Sequence, residues 1–150
     1  MSAAPPRARA PAPTVLVVED NPDDLELTLA ALHDLAGKVL VARDGVEALD
    51  YLFGRGGWSA QPPPAPDLVL LDLKLPRLDG MQVLRALRED PRTGHLRVVV
   101  LTSSDEACDQ EGYRQFGVAD YARKIVDFSL FRSEVRRLWP RWTEEVPESG

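Results

Sequence analysis

Five short runs rich in Val and Leu constrain the fold more than any other feature of this 150-residue sequence. Runs of this length and composition are typical of β-strands, and the three central ones are apolar on both faces. Strands of that kind lie in sheets that helices cover on both sides. The five predicted strands span residues 14–20, 38–43, 67–72, 96–102 and 118–123.

Segments with helical features separate these runs. The first begins with Asn21, which can cap a helix, and Pro22, which suits the first helical position; two Asp residues follow and favour the positive end of the helix dipole. Its apolar stripe is Leu25, Leu29, Leu32 and Leu35. The predicted helices span residues 21–35, 45–53, 80–90, 105–116 and 127–139. The stripe of the last helix is Phe128, Phe131, Val135, Leu138 and Trp142, and we expect Pro140 to interrupt its end.

The alternation of strand and helix predicts the fold class. Five repeats indicate a doubly wound α/β domain with a five-stranded parallel sheet over residues 14–142. Residues 1–13 are rich in Ala, Pro and Arg and are predicted to be disordered. Residues 54–66, rich in Gly and Pro, are predicted to be a loop insertion, and residues 143–150 a flexible tail.

Composition excludes several classes of protein. The net charge of −6 argues against DNA binding, because contacts to the phosphate backbone need clustered Lys and Arg. No apolar run approaches the roughly 20 residues that span a bilayer, and the first residues lack the apolar core of a secretory signal. A single cysteine cannot form an internal disulfide. We therefore expect a cytoplasmic protein.

Chemically distinctive side chains follow the predicted strands. Glu19 and Asp20 end the first strand, Asp72 the third, Thr102 the fourth and Lys124 the fifth. The carboxyl ends of parallel strands meet at one edge of the sheet, so these residues should converge there. Three carboxylates form an oxygen-rich site that suits Mg²⁺, while a hydroxyl and an ammonium suit an anion beside the metal. This combination is the one that phosphoryl transfer requires, with Asp72 as the nucleophile.

Each residue also has an ordinary structural explanation. Asp72 or Thr102 could cap the helix that follows it, and an acidic pair before a helix often compensates the helix dipole. A single Lys after a strand is usually solvated. Their joint occurrence at four strand ends favours a functional site.

The sequence resembles the receiver domain of two-component response regulators. The resemblance covers about residues 14–140, on the segments "VLVVEDNPDD", "PDLVLLDLKLPRLDG", "VVVLTSS" and "DYARK". It implies a flavodoxin-like fold and a phosphoryl group transferred from a sensor histidine kinase to an aspartate in an Mg²⁺-dependent reaction.

The resemblance also implies a role for each matching residue. Asp72 is the phosphoacceptor, Thr102 and Lys124 contact the phosphoryl group, and Tyr121 is the aromatic that turns inward as Thr102 moves. The implied Mg²⁺ ligands are Glu19 through water, Asp20, Asp72 and the backbone carbonyl of Lys74.

The long loop, the extended last helix and the absence of an output domain resemble one subgroup. Its members are stand-alone receivers paired with phytochrome-type kinases.

Two positions, Ile125 and Lys74, depart from the family. Ile125 replaces the usual Pro after Lys124, so a trans bond is expected and the placement of Lys124 is in question. Lys74 could bring its side chain to the mouth of the site or simply be solvated.

Three functions compete. The leading one is a signalling domain that is not an enzyme, in which phosphorylation changes the surface formed by the helix over 105–116, the fifth strand and the last helix. Its output is an unknown downstream protein, a relay histidine, or the drain of phosphate from a kinase. The second is an aspartyl phosphatase on small esters, which commonly has a second acid where this chain has Lys74. The third is a binding module independent of phosphorylation. Homodimerisation through the last helix is a further expectation, because Phe131, Trp139 and Trp142 exceed what one face of the core needs; the alternative is that these aromatics merely close the core.

Overall fold

The chain folds as an alternating series of strands and helices. The structure, a computed structural model, describes residues 12–60, 64–73, 75, 78–102 and 115–143. Its elements are β1 (Thr14–Val18), α1 (Pro22–Leu32), β2 (Lys38–Ala42), α2 (Gly45–Phe53), a 3₁₀ turn (Gly56–Trp58), β3 (Leu68–Asp72), α3 (Gly80–Glu89), β4 (Val98–Thr102), β5 (Asp120–Arg123) and α4 (Phe128–Thr143). The helix predicted over 105–116 falls almost wholly outside the described residues; residues 115–117 form a turn.

The five strands form one parallel sheet in the order β2-β1-β3-β4-β5. This arrangement confirms the predicted doubly wound, flavodoxin-like fold. The chain passes from β1 to β2 on one side and later to β3 on the other, so the connections diverge between β1 and β3. Ligand sites of such folds lie at this switch point, beyond the carboxyl ends of the strands.

Two apolar layers cover the sheet. Alternate residues of β3 point to opposite faces: Val69 and Leu71 pack with α2 and α3, whereas Leu68 and Leu70 pack with α1 and α4. Every residue of β3 is buried, which explains its continuous apolar sequence. Each fully buried Leu or Val contributes roughly 1.5–3 kcal/mol, so the strand that ends at Asp72 is firmly held.

Helix α1 begins as its sequence predicts. Asn21 Oδ1 accepts hydrogen bonds from the backbone N–H groups of Asp23 at 2.9 Å and Asp24 at 3.0 Å. Leu32 is buried in the core, and the other Leu residues of the predicted stripe are partly buried against it. The cap fixes the direction in which the chain leaves β1 for the helix.

The predicted interruption at Pro140 is wrong, because α4 continues through it to Thr143. An interior Pro removes a backbone hydrogen bond and costs about 3 kcal/mol. Trp142 offsets this cost: its side chain is fully buried, and its Nε1–H donates to Asp120 Oδ2 at 2.9 Å. Burial of a large side chain and a hydrogen bond to a carboxylate together contribute a comparable amount.

The aromatic residues of α4 mostly complete the protein's own core. Phe131 and Trp142 are buried, and Trp139 is partly buried against the same cluster. The argument that these aromatics exceed the needs of the core therefore fails. Phe128 is 41% exposed and does not belong to the buried stripe, because it lies at the first position of the helix.

The loop after α2 is anchored by aromatic contacts. Trp58 meets Tyr51 edge to face with ring centroids 5.0 Å apart, and the Tyr51 hydroxyl donates to the Pro64 carbonyl at 2.9 Å. Residues 61–63 lie outside the described chain. The described ends of the predicted insertion thus rest on α2.

One arginine fixes the connection that leads into β5. The Arg88 guanidinium, on α3, donates to the carbonyls of Phe116 at 2.5 Å, Leu96 at 2.8 Å, Gly94 at 3.1 Å and Gly117 at 3.3 Å. Burial lowers the pKa of this group below its ordinary value. A planar fork with several donors can satisfy four carbonyls, which an ammonium cannot.

The ends of the chain are only partly described. Pro13, within the segment predicted to be disordered, accepts a hydrogen bond from the Gly37 N–H at 2.8 Å. Residues 1–11 and 144–150 lie outside the described chain, so disorder there stays a prediction. Among the described helices, none combines the length and apolar character needed to cross a membrane.

Candidate functional site

Three carboxylates meet at the switch point of the sheet. β3 ends at Asp72, which is 5% exposed, and the neighbouring β1 leads into Glu19, which is 1% exposed, and the partly exposed Asp20. One carboxylate oxygen from each residue lies within 4.8 Å of those of the other two. The predicted convergence of these strand ends is therefore present.

Local backbone bonds place Glu19 in the cluster. Its N–H donates to the Ala42 carbonyl at 3.0 Å, which extends the pairing of β1 with β2 by one residue. The chain then turns away to start α1, and the Asn21 N–H donates to Glu19 Oε2 at 3.2 Å. The same Asn that caps α1 thus orients the buried carboxylate.

Lys124 enters the site from β5. Its N–H donates to the Thr102 carbonyl at 2.8 Å, so its backbone continues the pairing of β5 with β4. The described residues contain no cis peptide bond, and the predicted trans bond before Ile125 is confirmed. The ammonium lies 2.8 Å from Glu19 Oε1, 3.0 Å from Asp24 Oδ2 and 3.3 Å from Asp72 Oδ1. Replacement of the usual Pro therefore leaves Lys124 beside Asp72.

Burial dominates the electrostatics of the site. It raises the pKa of Glu19 to about 7, and the charge of Asp72 adds to the effect, while Lys124 and the Asn21 N–H oppose it. Burial alone would lower the pKa of Lys124, but contact with Glu19 and the charges of Asp72 and Asp24 raise it above its ordinary value. A single ammonium thus balances several carboxylates incompletely.

The donor set fits a hard divalent cation. Glu19 Oε1 is buried and, although paired with Lys124 at 2.8 Å, makes no hydrogen bond of good geometry. Together with Asp20 and Asp72 it offers only oxygen ligands, and Asp20 is partly open to solvent, as a partly hydrated cation requires. A cation here would supply the positive charge that the buried carboxylates lack.

Thr102 and Tyr121 lie on the strands beyond Asp72. Leu101 is the register partner of Asp72, so Thr102 lies one residue further along β4 at the same edge. Tyr121 pairs with Val100 and is partly buried against the core layer of α2 and α3. Lys74 lies outside the described residues, so its predicted carbonyl ligand and side-chain role stay predictions.

Sequence reasoning missed two residues at the site. Asp24 reaches Lys124 across 100 positions of sequence, whereas its sequence context indicates only a place in the first turn of α1. Gly80, the first residue of α3, donates its N–H to the Leu73 carbonyl at 3.1 Å. A Cβ there would lie 2.8 Å from the Asp72 carbonyl oxygen, so only glycine fits without a shift. The Asp-Gly pair before the helix is its only sequence signal.

Comparison with known proteins identifies the family. The model of the response regulator receiver domain matches residues 15–136. Response regulator Rcp1 of Synechocystis sp. is 30% identical over 138 residues, which are 91% of this chain and 92% of Rcp1.

Solved structures agree. The bacteriophytochrome response regulator AtBRR is 41% identical with a TM-score of 0.73, over 94% of this chain and 100% of that one. The phosphorylated cyanobacterial phytochrome response regulator RcpA is 33% identical with a TM-score of 0.80, over 91% of this chain and 99% of that one.

Other relatives are much longer than this chain. It spans 25% of a probable cyclic di-GMP phosphodiesterase of Vibrio cholerae, at 33% identity over 122 residues, and 53% of the DNA-binding regulator RpaA of Synechocystis sp., at 31% identity over 138 residues. The aligned stretches of these longer proteins cover 122 and 138 residues, about the length of the matched receiver domain. The chain belongs to the receiver domains of response regulators, the signalling proteins of two-component phosphorelays.

Proposed function

We propose that Asp72 accepts a phosphoryl group from a sensor histidine kinase. A carboxylate oxygen of Asp72 forms a bond to phosphorus while the bond from phosphorus to the kinase imidazole breaks, and the imidazole nitrogen keeps the electron pair. The observation that carries this proposal is the buried Asp72 carboxylate at the switch point, 3.3 Å from the Lys124 ammonium and beside two further carboxylates.

Lys124 and Thr102 are the proposed contacts of the phosphoryl oxygens. The ammonium is already within reach of Asp72, and its raised pKa keeps it charged, so it can balance negative charge that develops on the transferred group. Thr102 offers its hydroxyl from the end of the adjacent β4. Fixed charges in a largely buried site are worth more than the same charges in water.

Glu19, Asp20 and Asp72 are the proposed ligands of Mg²⁺, Glu19 through water, and the backbone carbonyl of Lys74 is a further proposed ligand. When bound, the cation neutralises charge on the phosphoryl oxygens and aligns them with the nucleophile. The oxygen-only donor set and the buried Glu19 Oε1, which makes no hydrogen bond of good geometry, support this choice. A solved structure similar to this chain, Rcp1, is described as Mn²⁺-bound.

The proposed output is a change of surface. We infer that Thr102 moves toward the phosphoryl group and that Tyr121 turns further inward, which alters the surface of β5 and α4 that a downstream protein or relay reads. The helix predicted over 105–116, which the sequence analysis assigns to the same surface, lies almost wholly outside the described residues. Tyr121 is only partly buried, so an inward turn would bury more of its side chain. Such a population shift between two states is how a local charge change reaches a partner.

A phytochrome-type kinase is the proposed donor. Two similar structures are described as phytochrome response regulators. An open groove of about 500 Å³ runs between α1 and the start of α4, and exposed Phe128 lines it. We propose that the kinase docks in this groove with its phosphohistidine directed toward Asp72.

Two further predictions stay proposals. Homodimerisation through α4 now rests on exposed Leu130 and partly buried Trp139, because the other aromatics are buried in the protein's own core. Sedimentation velocity over a hundredfold range of concentration tests it, and a monomer throughout would exclude the dimer. The cytoplasmic location remains a prediction from the sequence.

Signalling is favoured over the two alternatives. The matching family consists of signalling regulators, and the position that carries a second acid in aspartyl phosphatases is Lys74. A binding module without phosphate chemistry would not need Asp72, Lys124 and the acidic cluster together. Steady turnover of a small phosphate ester would support the phosphatase instead.

The decisive experiment is intact-mass analysis after incubation with acetyl phosphate and Mg²⁺. We expect the wild type to gain one phosphoryl group, Asp72→Asn to gain none, and the control Asp23→Asn, at an exposed position of α1, to behave as the wild type. No gain with acetyl phosphate or with a phosphorylated kinase, or an equal gain in Asp72→Asn, would contradict the proposal.

A further inference from the structure

Among the described residues, Asp24 is the carboxylate beside Lys124 that lies outside the proposed metal cluster. It sits in the first turn of α1, where its N–H donates to the capping Asn21 at 3.0 Å. Its Oδ2 accepts a hydrogen bond from the Lys124 ammonium at 3.0 Å. Its side chain is 35% exposed, whereas those of Glu19 and Asp72 are almost fully buried. α1 therefore supplies a counter-ion to a lysine that comes from β5.

The Lys124 ammonium has three hydrogens and, in the described part of the chain, three carboxylate neighbours. Glu19 is at 2.8 Å, Asp24 at 3.0 Å and Asp72 at 3.3 Å. The ammonium is carried by a flexible four-carbon chain, so these contacts, rather than its own stiffness, fix its position. Only 8% of the side chain is exposed, so water contributes little to holding it.

A divalent cation would change this balance. Glu19 and Asp72 belong to the cluster that fits the cation, together with Asp20, and Asp24 does not. A cation that binds the carboxylates of Glu19 and Asp72 weakens their attraction for the Lys124 ammonium and also repels the ammonium directly. Asp24 is then the neighbour whose charge remains available to Lys124.

We propose that Asp24 is a positioning residue that keeps the Lys124 ammonium beside Asp72 when the cation occupies the acidic cluster. The inference rests on the proposed function, because it assigns Lys124 to the phosphoryl group. It gives α1 a second role, since the turn that begins the helix also orients a residue of the phosphoryl site. Asp24 itself is not one of the three carboxylates of the proposed metal cluster.

Asp23 offers a matched control. It precedes Asp24 in the same turn, has the same charge and bonds through its N–H to the same cap at 2.9 Å, but its carboxylate makes no described contact with Lys124. Asp23→Asn and Asp24→Asn therefore change the net charge and the helix dipole almost equally. A difference between them reports the contact with Lys124.

The first readout is the ¹H–¹⁵N resonance of the Lys124 ammonium, which needs no phosphoryl donor. The chain has three lysines, so Lys124→Arg assigns the signal. We expect the wild type and Asp23→Asn to retain the resonance with and without saturating Mg²⁺. Asp24→Asn should retain it only without Mg²⁺, because Glu19 and Asp72 then hold the ammonium, and Asp24→Glu should restore it.

The second readout is the rate of phosphorylation by acetyl phosphate at saturating Mg²⁺. We expect Asp24→Asn to lower the maximal rate about tenfold, the order of one hydrogen bond to a charged group, without a matching change in the donor concentration at half-maximal rate. Asp23→Asn should stay within about twofold of wild type. Circular dichroism checks that each variant is folded.

The outcomes separate the two proposals. A persistent ammonium resonance in Mg²⁺-loaded Asp24→Asn, or an equal loss in Asp23→Asn, would overturn the role of Asp24 even if Asp72 is phosphorylated. Failure of the wild type to be phosphorylated would reject the proposed function, while the resonance experiment would still decide whether Asp24 holds Lys124.

Discussion

The close approach of α3 to the end of β3 makes Gly80→Ala a sharp test of how the site is built. A Cβ at this position would lie 2.8 Å from both the Asp72 carbonyl oxygen and the Leu73 Cα, and both are backbone atoms. Flexible side-chain ends cannot relieve the overlap, so α3 or the strand end must shift. Overpacking of this kind typically costs about 1–3 kcal/mol.

The gain in helix propensity partly offsets this cost. Replacing Gly by Ala inside a helix contributes up to about 1 kcal/mol, and less at the first helical position. We therefore expect Gly80→Ala to lower the free energy of unfolding by about 1–2 kcal/mol, or the melting temperature by roughly 3–6 °C. Urea unfolding should show a lower midpoint with an unchanged slope.

Gly57→Ala is the matched control, because nothing lies within 4 Å of a Cβ at that position. Its stability should stay within about 0.5 kcal/mol of the wild type. Gly80→Ala should also slow phosphorylation by acetyl phosphate at a temperature where both variants are folded, since the shift displaces the backbone of Asp72. Equal stability of Gly80→Ala and the wild type would refute the steric argument.

Three further predictions concern the metal cluster and the core. At a hundred times its dissociation constant, Mg²⁺ should raise the free energy of unfolding of the wild type by about 2.7 kcal/mol, as measured by calorimetry. The variant Asp20→Asn should show little or no such gain. An equal gain in the variant would show that Asp20 is not a ligand. Arg88→Lys should lower the free energy of unfolding, measured in urea, by about 1–3 kcal/mol, because an ammonium cannot satisfy four carbonyls. The control Arg85→Lys, at an exposed position of α3, should leave the free energy of unfolding nearly unchanged. Similar values for the two variants would contradict the role of Arg88. Trp142→Phe should lower the melting temperature by several degrees, because it leaves Asp120 Oδ2 without its indole donor. An unchanged melting temperature would show that burial of the ring alone stabilises α4 beyond Pro140.

The sequence predicted the sheet and the edge that carries the site well, for a simple physical reason. Strands buried on both faces must be continuously apolar, so their ends are visible as the first polar residues. Because the strands are parallel, those polar residues meet at one edge, and this is enough to place Asp72 beside Glu19 and Asp20. The observed ends of the described strands and helices coincide with the predicted ends or differ from them by one to four residues, and these differences left the site unchanged.

Local rules failed where a distant contact outweighs them. Proline normally ends a helix, but burial of Trp142 and its bond to Asp120 extend α4 beyond Pro140. Phe128 matched the helical stripe, yet it lies at the first position of α4 and remains 41% exposed. No single-residue propensity contains the information that decides these cases, because it lies in the packing of separate elements.

The contact between Asp24 and Lys124 shows how one surface can serve two purposes in a receiver domain. Lys124 depends on α1 for a counter-ion, and α1 also lines the groove proposed for the kinase. Pressure on the first turn of α1 would move Asp24 and, through it, the ammonium beside Asp72. A docked kinase could thus affect the readiness of the acceptor site and not only deliver its phosphoryl group. Asp24→Asn should then lower the rate of phosphorylation by acetyl phosphate, which does not dock, and the rate of phosphorylation by a kinase by different factors. If both rates fall by the same factor, the role of Asp24 is limited to holding Lys124.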